Sequence, residues 1–113
     1  MEPVYRRNAK GFLHCTDGPA VEKFNGHGLC QEWWVNGDLH RKDGPAVKIS
    51  NEDGVYQAWY LNGKHHREDG AAIEEPNKSG IYQKWYINGT EMTEKEYYDR
   101  EAGYGELVKS AGQ

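Results

Sequence analysis

Three histidines, each followed three residues later by an aspartate, are the side chains of this 113-residue chain best suited to chemistry. A histidine oriented by a carboxylate can act as a general base. An active site, however, brings different groups to one point, whereas these pairs recur at a constant interval. We interpret them as structural groups that satisfy turn amides or pack against tryptophan, and we expect no enzyme activity. The pairs are His14/Asp17, His40/Asp43 and His66/Asp69.

Metal and cofactor binding are also disfavoured. Cys15 and Cys30 are the only thiols and fall at non-equivalent repeat positions, so neither a disulfide nor a shared thiolate site is expected. His65 and His66 are neighbours, and neighbours on a strand point to opposite faces. The chain has no Cys-x-x-Cys spacing and no glycine-rich phosphate loop. We therefore predict no metal and no cofactor.

The elements that carry these histidines form an internal repeat. Trp33, Trp59 and Trp85 are evenly spaced along the chain, and most of their neighbours recur in the same phase. A fixed period of this length indicates stacked supersecondary units. We assign residues 13–89 to three repeats within a single domain, residues 1–113. Stacked repeats present extended surfaces and seldom enclose one pocket, which favours binding over catalysis.

Each repeat contains an Asn-Gly dipeptide after a run rich in β-forming residues, at 29–35, 55–61 and 81–87. Asn-Gly accommodates the positive φ angles of a two-residue hairpin turn, so each run should be the first strand of a hairpin. The turn then fixes the register, placing Trp34 opposite Leu39 and Tyr60 opposite His65. A second, shorter strand should follow each Asp-Gly-x-Ala segment. The turn residues are Asn36, Gly37, Asn62, Gly63, Asn88 and Gly89.

Alternation along these strands separates two faces. The nearly invariant face carries Trp33, Trp59 and Trp85, and we assign it to the core as structural. The other face is variable and aromatic, and tyrosine and tryptophan are frequent in interface hot spots. We predict that it binds a partner. The residues proposed for that contact are Trp34, Tyr56, Tyr60, Tyr82 and Tyr86, with the carboxylates Glu74 and Glu75.

The two ends of the repeat array differ from its centre. Residues 1–12 match the repeat template only weakly and should form an N-terminal capping strand. Thr93 and Glu96 fit a capping box, so residues 93–102 should form a short C-terminal helix that covers the last hairpin. We expect residues 103–113 to be a flexible tail. Strand edges at both ends leave room for association with a second copy of the chain.

Composition restricts the partner and the compartment. A mean hydropathy of -1.01 with 36% hydrophobic residues allows only a thin core. Residues 1–67 carry nine basic and eight acidic groups (+1), whereas residues 68–113 carry five and ten (-5). This acidic end disfavours direct nucleic-acid and membrane binding, and favours a protein partner with a basic surface. No apolar stretch is long enough for a signal sequence or a membrane span, so we expect a cytoplasmic protein.

The repeat motif resembles a known family. The segments Leu39-His-Arg-Lys-Asp-Gly-Pro-Ala-Val47 and Trp59-Tyr-Leu-Asn-Gly-Lys64 are similar to MORN-variant repeats, with the consensus WYxNGxLHRxDGPA, of bacteriophages and large DNA viruses. They are more loosely similar to bacterial MORN-like antitoxin components. The likeness covers about three quarters of the chain. It implies a mainly β fold, an elongated, twisted antiparallel sheet of hairpins closed by the C-terminal helix. The chain departs from the consensus at Cys15, His65 and Ala71.

Three functional hypotheses follow. The first is a non-enzymatic interaction module, a phage or viral protein that binds and inhibits a host defence protein in the host cytoplasm. The alternative is a small-ligand or nucleotide-binding module, a sponge, that combines stacking rings with cationic groups. A third is a membrane-associated scaffold of the MORN type. The residues of the ligand-binding alternative are His40, Arg41, Lys42, His66 and Arg67.

Overall fold

The computed structural model describes residues 2–102, which form twelve strands and one helix. The predicted tail, residues 103–113, lies outside the described residues. The strands are β1 (Val4–Tyr5), β2 (Val21–Phe24), β3 (Leu29–Glu32), β4 (Trp34–Val35), β5 (Asp38–Leu39), β6 (Val47–Asn51), β7 (Gly54–Ala58), β8 (Tyr60–Leu61), β9 (Lys64–His65), β10 (Ile73–Asn77), β11 (Gly80–Ile87) and β12 (Thr90–Met92), and the helix is α1 (Glu94–Ala102).

One antiparallel sheet contains eight of these strands, in the order β1-β2-β3-β6-β7-β10-β11-β12. The pairs β4-β5 and β8-β9 are the Asn-Gly hairpins of the first two repeats. The molecule extends over 57 × 39 × 18 Å. Eight strands thus lie in one extended sheet, and the other four belong to the two hairpins. The mainly β, elongated fold is confirmed.

The Asn-Gly turns have the predicted geometry. The φ angles are 49° at Asn36, 51° at Asn62 and 51° at Asn88, and the following glycines have φ of 81–87°. Both central residues of each turn are therefore left-handed, which matches the right-handed twist of the flanking strands. The register is also as predicted, with Trp34 opposite Leu39 and Tyr60 opposite His65.

The first two long strands are interrupted at their tryptophans, contrary to the continuous runs predicted from the sequence. The amide of Trp33 donates to the carbonyl of Ala46 at 2.7 Å, and that of Trp59 to Ala72 at 2.8 Å. These amides therefore bond to the Asp-Gly-x-Ala segment of the next repeat. No such segment follows Trp85, and there β11 runs unbroken over eight residues.

The core differs from the predicted one. The main-sheet residues buried most deeply include Val21, Cys30 and Ala58, on the face opposite to the tryptophans, while Trp33 and Trp59 are only half-buried. Assigning the whole tryptophan-bearing face to the core was therefore wrong. Small side chains are buried where neighbouring segments of the chain pack closely together. Those fully or nearly fully buried alanines are Ala20, Ala46, Ala58, Ala71 and Ala72.

Helix α1 covers the last repeat, as predicted. The hydroxyl of Thr93 accepts from the Glu96 amide at 3.1 Å, and the Glu96 carboxylate accepts from the Thr93 amide at 2.9 Å, which confirms the capping box. Tyr97 is fully buried and its hydroxyl donates to the carbonyl of Arg67. Within residues 2–102 no helix is long and apolar enough to span a membrane.

The N-terminal segment forms a shorter cap than predicted. Only Val4–Tyr5 is a strand, paired with β2, and a single bridge joins Arg7 to Leu13. The side chain of Asn8 donates to that of Asn36 at 2.9 Å. The cap therefore contacts both the main sheet and the first Asn-Gly turn.

We predict that Trp85→Ala destabilises the protein by about 3–5 kcal/mol, because a large ring that packs against Ala71 and Tyr97 is removed and leaves a cavity. Trp59→Ala should cost less, since that ring is half-buried. Urea denaturation followed by circular dichroism measures both. Equal losses for the two variants would contradict the assignment of Trp85 as the buried ring.

Candidate functional site

The repeated histidines hold the Asn-Gly turns. Nδ1 of each accepts a hydrogen bond from the amide of the asparagine in the turn that follows, at 2.9–3.0 Å. The donor-acceptor pairs are Asn36 to His14, Asn62 to His40 and Asn88 to His66. An amide in a left-handed turn cannot join the strand ladder, so a side chain from the preceding repeat satisfies it.

The aspartates of the His-x-x-Asp motifs bond elsewhere. Asp43 accepts from Nε of Arg41 at 3.1 Å, and Asp69 from Nε of Arg67 at 2.9 Å. Asp17 accepts from the thiol of Cys15, which stands at the equivalent position of the first repeat. Within residues 2–102 no hydrogen bond or ion pair joins a motif histidine to its own aspartate. In the third motif, Nε2 of the buried His66 instead lies 3.0 Å from the carboxylate of Glu68.

The two repeat arginines cover the tryptophans. The guanidinium of Arg41 lies 4.0 Å from the Trp33 ring centroid, and that of Arg67 lies 3.7 Å from the Trp59 ring centroid. Each arginine also donates to a backbone carbonyl of the turn that follows it, at 3.2 and 2.9 Å. The guanidinium, the indole ring and the Asp-Gly-x-Ala turn thus contact one another. These contacts explain why the arginine, the tryptophan and the turn recur together in the sequence.

A groove of about 740 Å³ lies between the second and third repeats. It brings together Arg41, Lys42, His66 and Arg67 of the ligand-binding alternative, and His40 lies outside its lining. The lining has three basic side chains and also three carboxylates, Asp43, Glu68 and Asp69. Both arginines are occupied by the contacts above. Lys42 is exposed and makes no ion pair or side-chain hydrogen bond among the described residues.

We call the opposite side of the sheet the tyrosine face, defined by Trp34, Tyr56, Tyr60, Tyr82 and Tyr86. Its rings are half-buried except Tyr82, which is 48% exposed. Trp34 donates its indole N–H to Glu32 at 2.8 Å, which fixes that ring. The predicted contact residues thus lie on one side of the sheet, with one exception. Glu74 pairs in register with Gln57 and lies 3.7 Å from Arg67, so it points to the tryptophan side.

Two triplets cross the tyrosine face at right angles to the strands. In one, the His65 ring lies between Tyr60 and Tyr86, with centroid distances of 4.1 and 4.8 Å. In the other, Glu75 lies between Tyr56 and Tyr82, because β10 is the strand between β7 and β11. His65 was not among the predicted contact residues, although the Asn-Gly register already placed it opposite Tyr60.

Burial shifts the pKa values of three side chains on this face. Burial raises the pKa of Tyr60, and the neighbouring Tyr56 and Tyr86 add to the rise. Burial also raises the pKa of Tyr56, with a further contribution from the charge of Glu75. Desolvation lowers the pKa of His65, and its Nδ1 has no hydrogen-bond partner among the described residues. All three groups are therefore held neutral at pH 7.

No metal cluster and no disulfide are found in the part of the chain that the structure describes: no three His, Cys, Asp or Glu side chains are grouped as a metal site, and Cys15 and Cys30 are free. In comparisons with known proteins, no family model, no curated protein and no solved structure matches this chain. The site is therefore argued from its own geometry.

We predict that His40→Phe lowers the free energy of unfolding by about 0.5–1.5 kcal/mol, because the Asn62 amide loses its acceptor. His40→Asn should lose less, since its side-chain oxygen can accept from the same amide. Urea denaturation at pH 7.5 compares the two. Equal losses, or none, would show that this hydrogen bond does not hold the turn.

We also predict an acid-dependent loss of stability from His65. Because its pKa is lowered in the folded protein, the unfolded chain binds this proton more readily. The stability that His65 contributes is therefore present above the ordinary histidine pKa of about 6.5 and declines as the pH falls below it. Urea midpoints at pH 7.5 and 5.5 should fall less in His65→Phe than in wild type. An unchanged pH dependence would contradict this assignment.

Proposed function

We propose that this protein is a non-enzymatic module that binds a protein partner through the tyrosine face. The observation that carries the proposal is the set of aromatic side chains that all three repeats place on one side of the strands. Helix α1 packs against the opposite side, where Tyr97 and Tyr98 lie against Trp85, and the Tyr82 ring is 48% exposed. Tyrosine and tryptophan supply large contact area at a low cost in conformational entropy.

The chemistry of the two sides supports the choice of face. On the tryptophan side the arginines, aspartates and histidines are engaged in contacts that hold the repeats together. On the tyrosine face the hydroxyls of Tyr60 and Tyr86 make no hydrogen bonds within the described residues. Groups of this kind are available to a partner, and aromatic rings with polar edges are the residues that dominate protein interfaces.

The biological setting of this proposal comes from the repeat motif. Its resemblance to repeats of phage and large-virus proteins leads us to propose a phage or viral protein that acts in the host cytoplasm, where it inhibits a host defence protein. The ligand-binding alternative receives less support, because Arg41 and Arg67 of the groove already have partners and three carboxylates line it. The scaffold alternative would require a membrane-binding surface, and the net charge of -4 opposes attraction to anionic lipids.

The test is affinity capture from host lysate with wild-type protein and variants of each face. Tyr60→Ala/Tyr86→Ala and, separately, Tyr82→Ala should lower the captured partner about tenfold or more if these rings are hot spots. Lys48→Ala/Gln57→Ala, from the polar row of the tryptophan side, is the matched control and should capture as wild type does. Circular dichroism of every variant checks folding.

Two outcomes would overturn the proposal. One is capture that is lost in the tryptophan-side control and kept in both tyrosine-face variants. The other is a purified protein that captures no partner and releases an ultraviolet-absorbing small molecule on denaturation, which would support the ligand-binding alternative.

A further inference from the structure

The position of Glu75 differs from its counterparts in the other repeats. Lys23, Ile49 and Glu75 occupy equivalent places in the short strands of successive repeats, and all point to the tyrosine face. Their cross-strand neighbours differ. Ile49 lies between Cys30 and Tyr56. Only in the third repeat is this position a carboxylate with a tyrosine on each side, Tyr56 and Tyr82.

The carboxylate of Glu75 is exposed and has no partner among the described residues: it makes no ion pair and no side-chain hydrogen bond there. Burial raises the pKa of Tyr56, and the charge of Glu75 adds to this rise. The nearest cation of the same face on β11, Lys84, lies 3.4 Å from Glu91 and 6.0 Å from the Tyr82 ring centroid. That cation interacts with Tyr82 and with Glu91, and Glu75, between two aromatic rings, has no ion-pair partner among the described residues.

Strand spacing sets the dimensions of this arrangement. Neighbouring strands lie about 4.8 Å apart, so the two tyrosines are separated by about 9.5 Å across Glu75. A cation above the carboxylate would stand about 5 Å from each ring, within the roughly 6 Å over which cation-π attraction acts. A planar guanidinium can stack on a ring and also bond a carboxylate through two N–H groups, which an ammonium cannot do.

The charge of the surrounding chain favours the same ligand. Residues 68–113 carry five basic and ten acidic side chains, a net charge of -5, and this half of the molecule contains Glu75 and Tyr82. A cationic group approaching the third repeat is therefore attracted before it makes contact. The first repeat presents Lys23 at the equivalent position and repels it.

We propose that Tyr56, Glu75 and Tyr82 form a receptor for an arginine side chain of the protein partner. The inference rests on the proposed function, because it assigns the chemistry of one contact on the tyrosine face. The other triplet has a different role in the proposed interface. Its rings, those of Tyr60, His65 and Tyr86, are already stacked on one another and present their edges. The arginine receptor gives the interface its charge selectivity, and the stacked triplet gives it apolar area.

The direct test uses N-acetyl-arginine methylamide as the probe and N-acetyl-citrulline methylamide as its uncharged match. In an NMR titration of the whole chain the arginine probe should shift the ring resonances of Tyr56 and Tyr82, and citrulline should not. Glu75→Gln should weaken binding about two- to fivefold. Glu74→Gln, its neighbour on the opposite side of β10, is the control and should bind as wild type does. Equal binding of citrulline, or no effect of Glu75→Gln, would overturn the inference.

A second measurement separates this inference from the proposed function. In the lysate capture, Glu75→Gln should reduce the partner and Glu74→Gln should not. If capture depends on Tyr60 and Tyr86 and is unchanged in Glu75→Gln, the tyrosine face remains the interface and the arginine receptor is wrong. If the probe binds at Tyr56 and Tyr82 and capture is unchanged in every tyrosine-face variant, the receptor stands and the proposed function is wrong.

Discussion

The hydrogen bond from each Asn-Gly turn to the histidine of the preceding repeat links successive units of the array. The amide of the first residue of each left-handed turn finds no acceptor on the neighbouring strand. Little apolar surface is buried nearby to offset the free-energy cost of leaving this amide unpaired. Nδ1 of His14, His40 and His66 supplies the missing acceptor at each step. The same bond positions the hairpin of one repeat relative to the next, so the array is built from neighbour-to-neighbour contacts.

The two sides of the sheet differ in the contacts that their side chains make. On one side, Arg41 and Arg67 cover tryptophans, bond the aspartates that follow them and reach the carbonyls of the next turn. These contacts engage both arginines of the groove that lies beside them. On the other side the tyrosines are packed at their bases and free at their edges. The contacts between arginine and tryptophan therefore lie on the side opposite to the proposed binding face.

The residues of the tyrosine face are not the same in the three repeats. The third repeat differs from the others in the residues between its tyrosines, with His65 in place of Leu39 and Glu75 in place of Ile49. The first repeat has Cys15 where the other two have arginine. A repeat array of this kind keeps the residues that stack its units and varies those that face outward. The places where the copies diverge are thus the places where a specific partner would be recognised.

The sequence alone determined the local elements: the repeat period, the Asn-Gly turns, the hairpin register and the capping box of α1. Each depends on residues close together in the chain, where positive φ or a reciprocal hydrogen bond allows few alternatives. It left open whether the histidines satisfy turn amides or pack against tryptophan, and the structure shows that they accept from the turn amides. Tertiary structure decided the rest. The interruptions at Trp33 and Trp59 depend on carbonyls of the following Asp-Gly-x-Ala segments, which no local pattern reveals. Strand order placed Glu75 between tyrosines of two successive repeats. The buried residues are alanines rather than the whole tryptophan-bearing face, because segments of the chain can pack closely only where side chains are small.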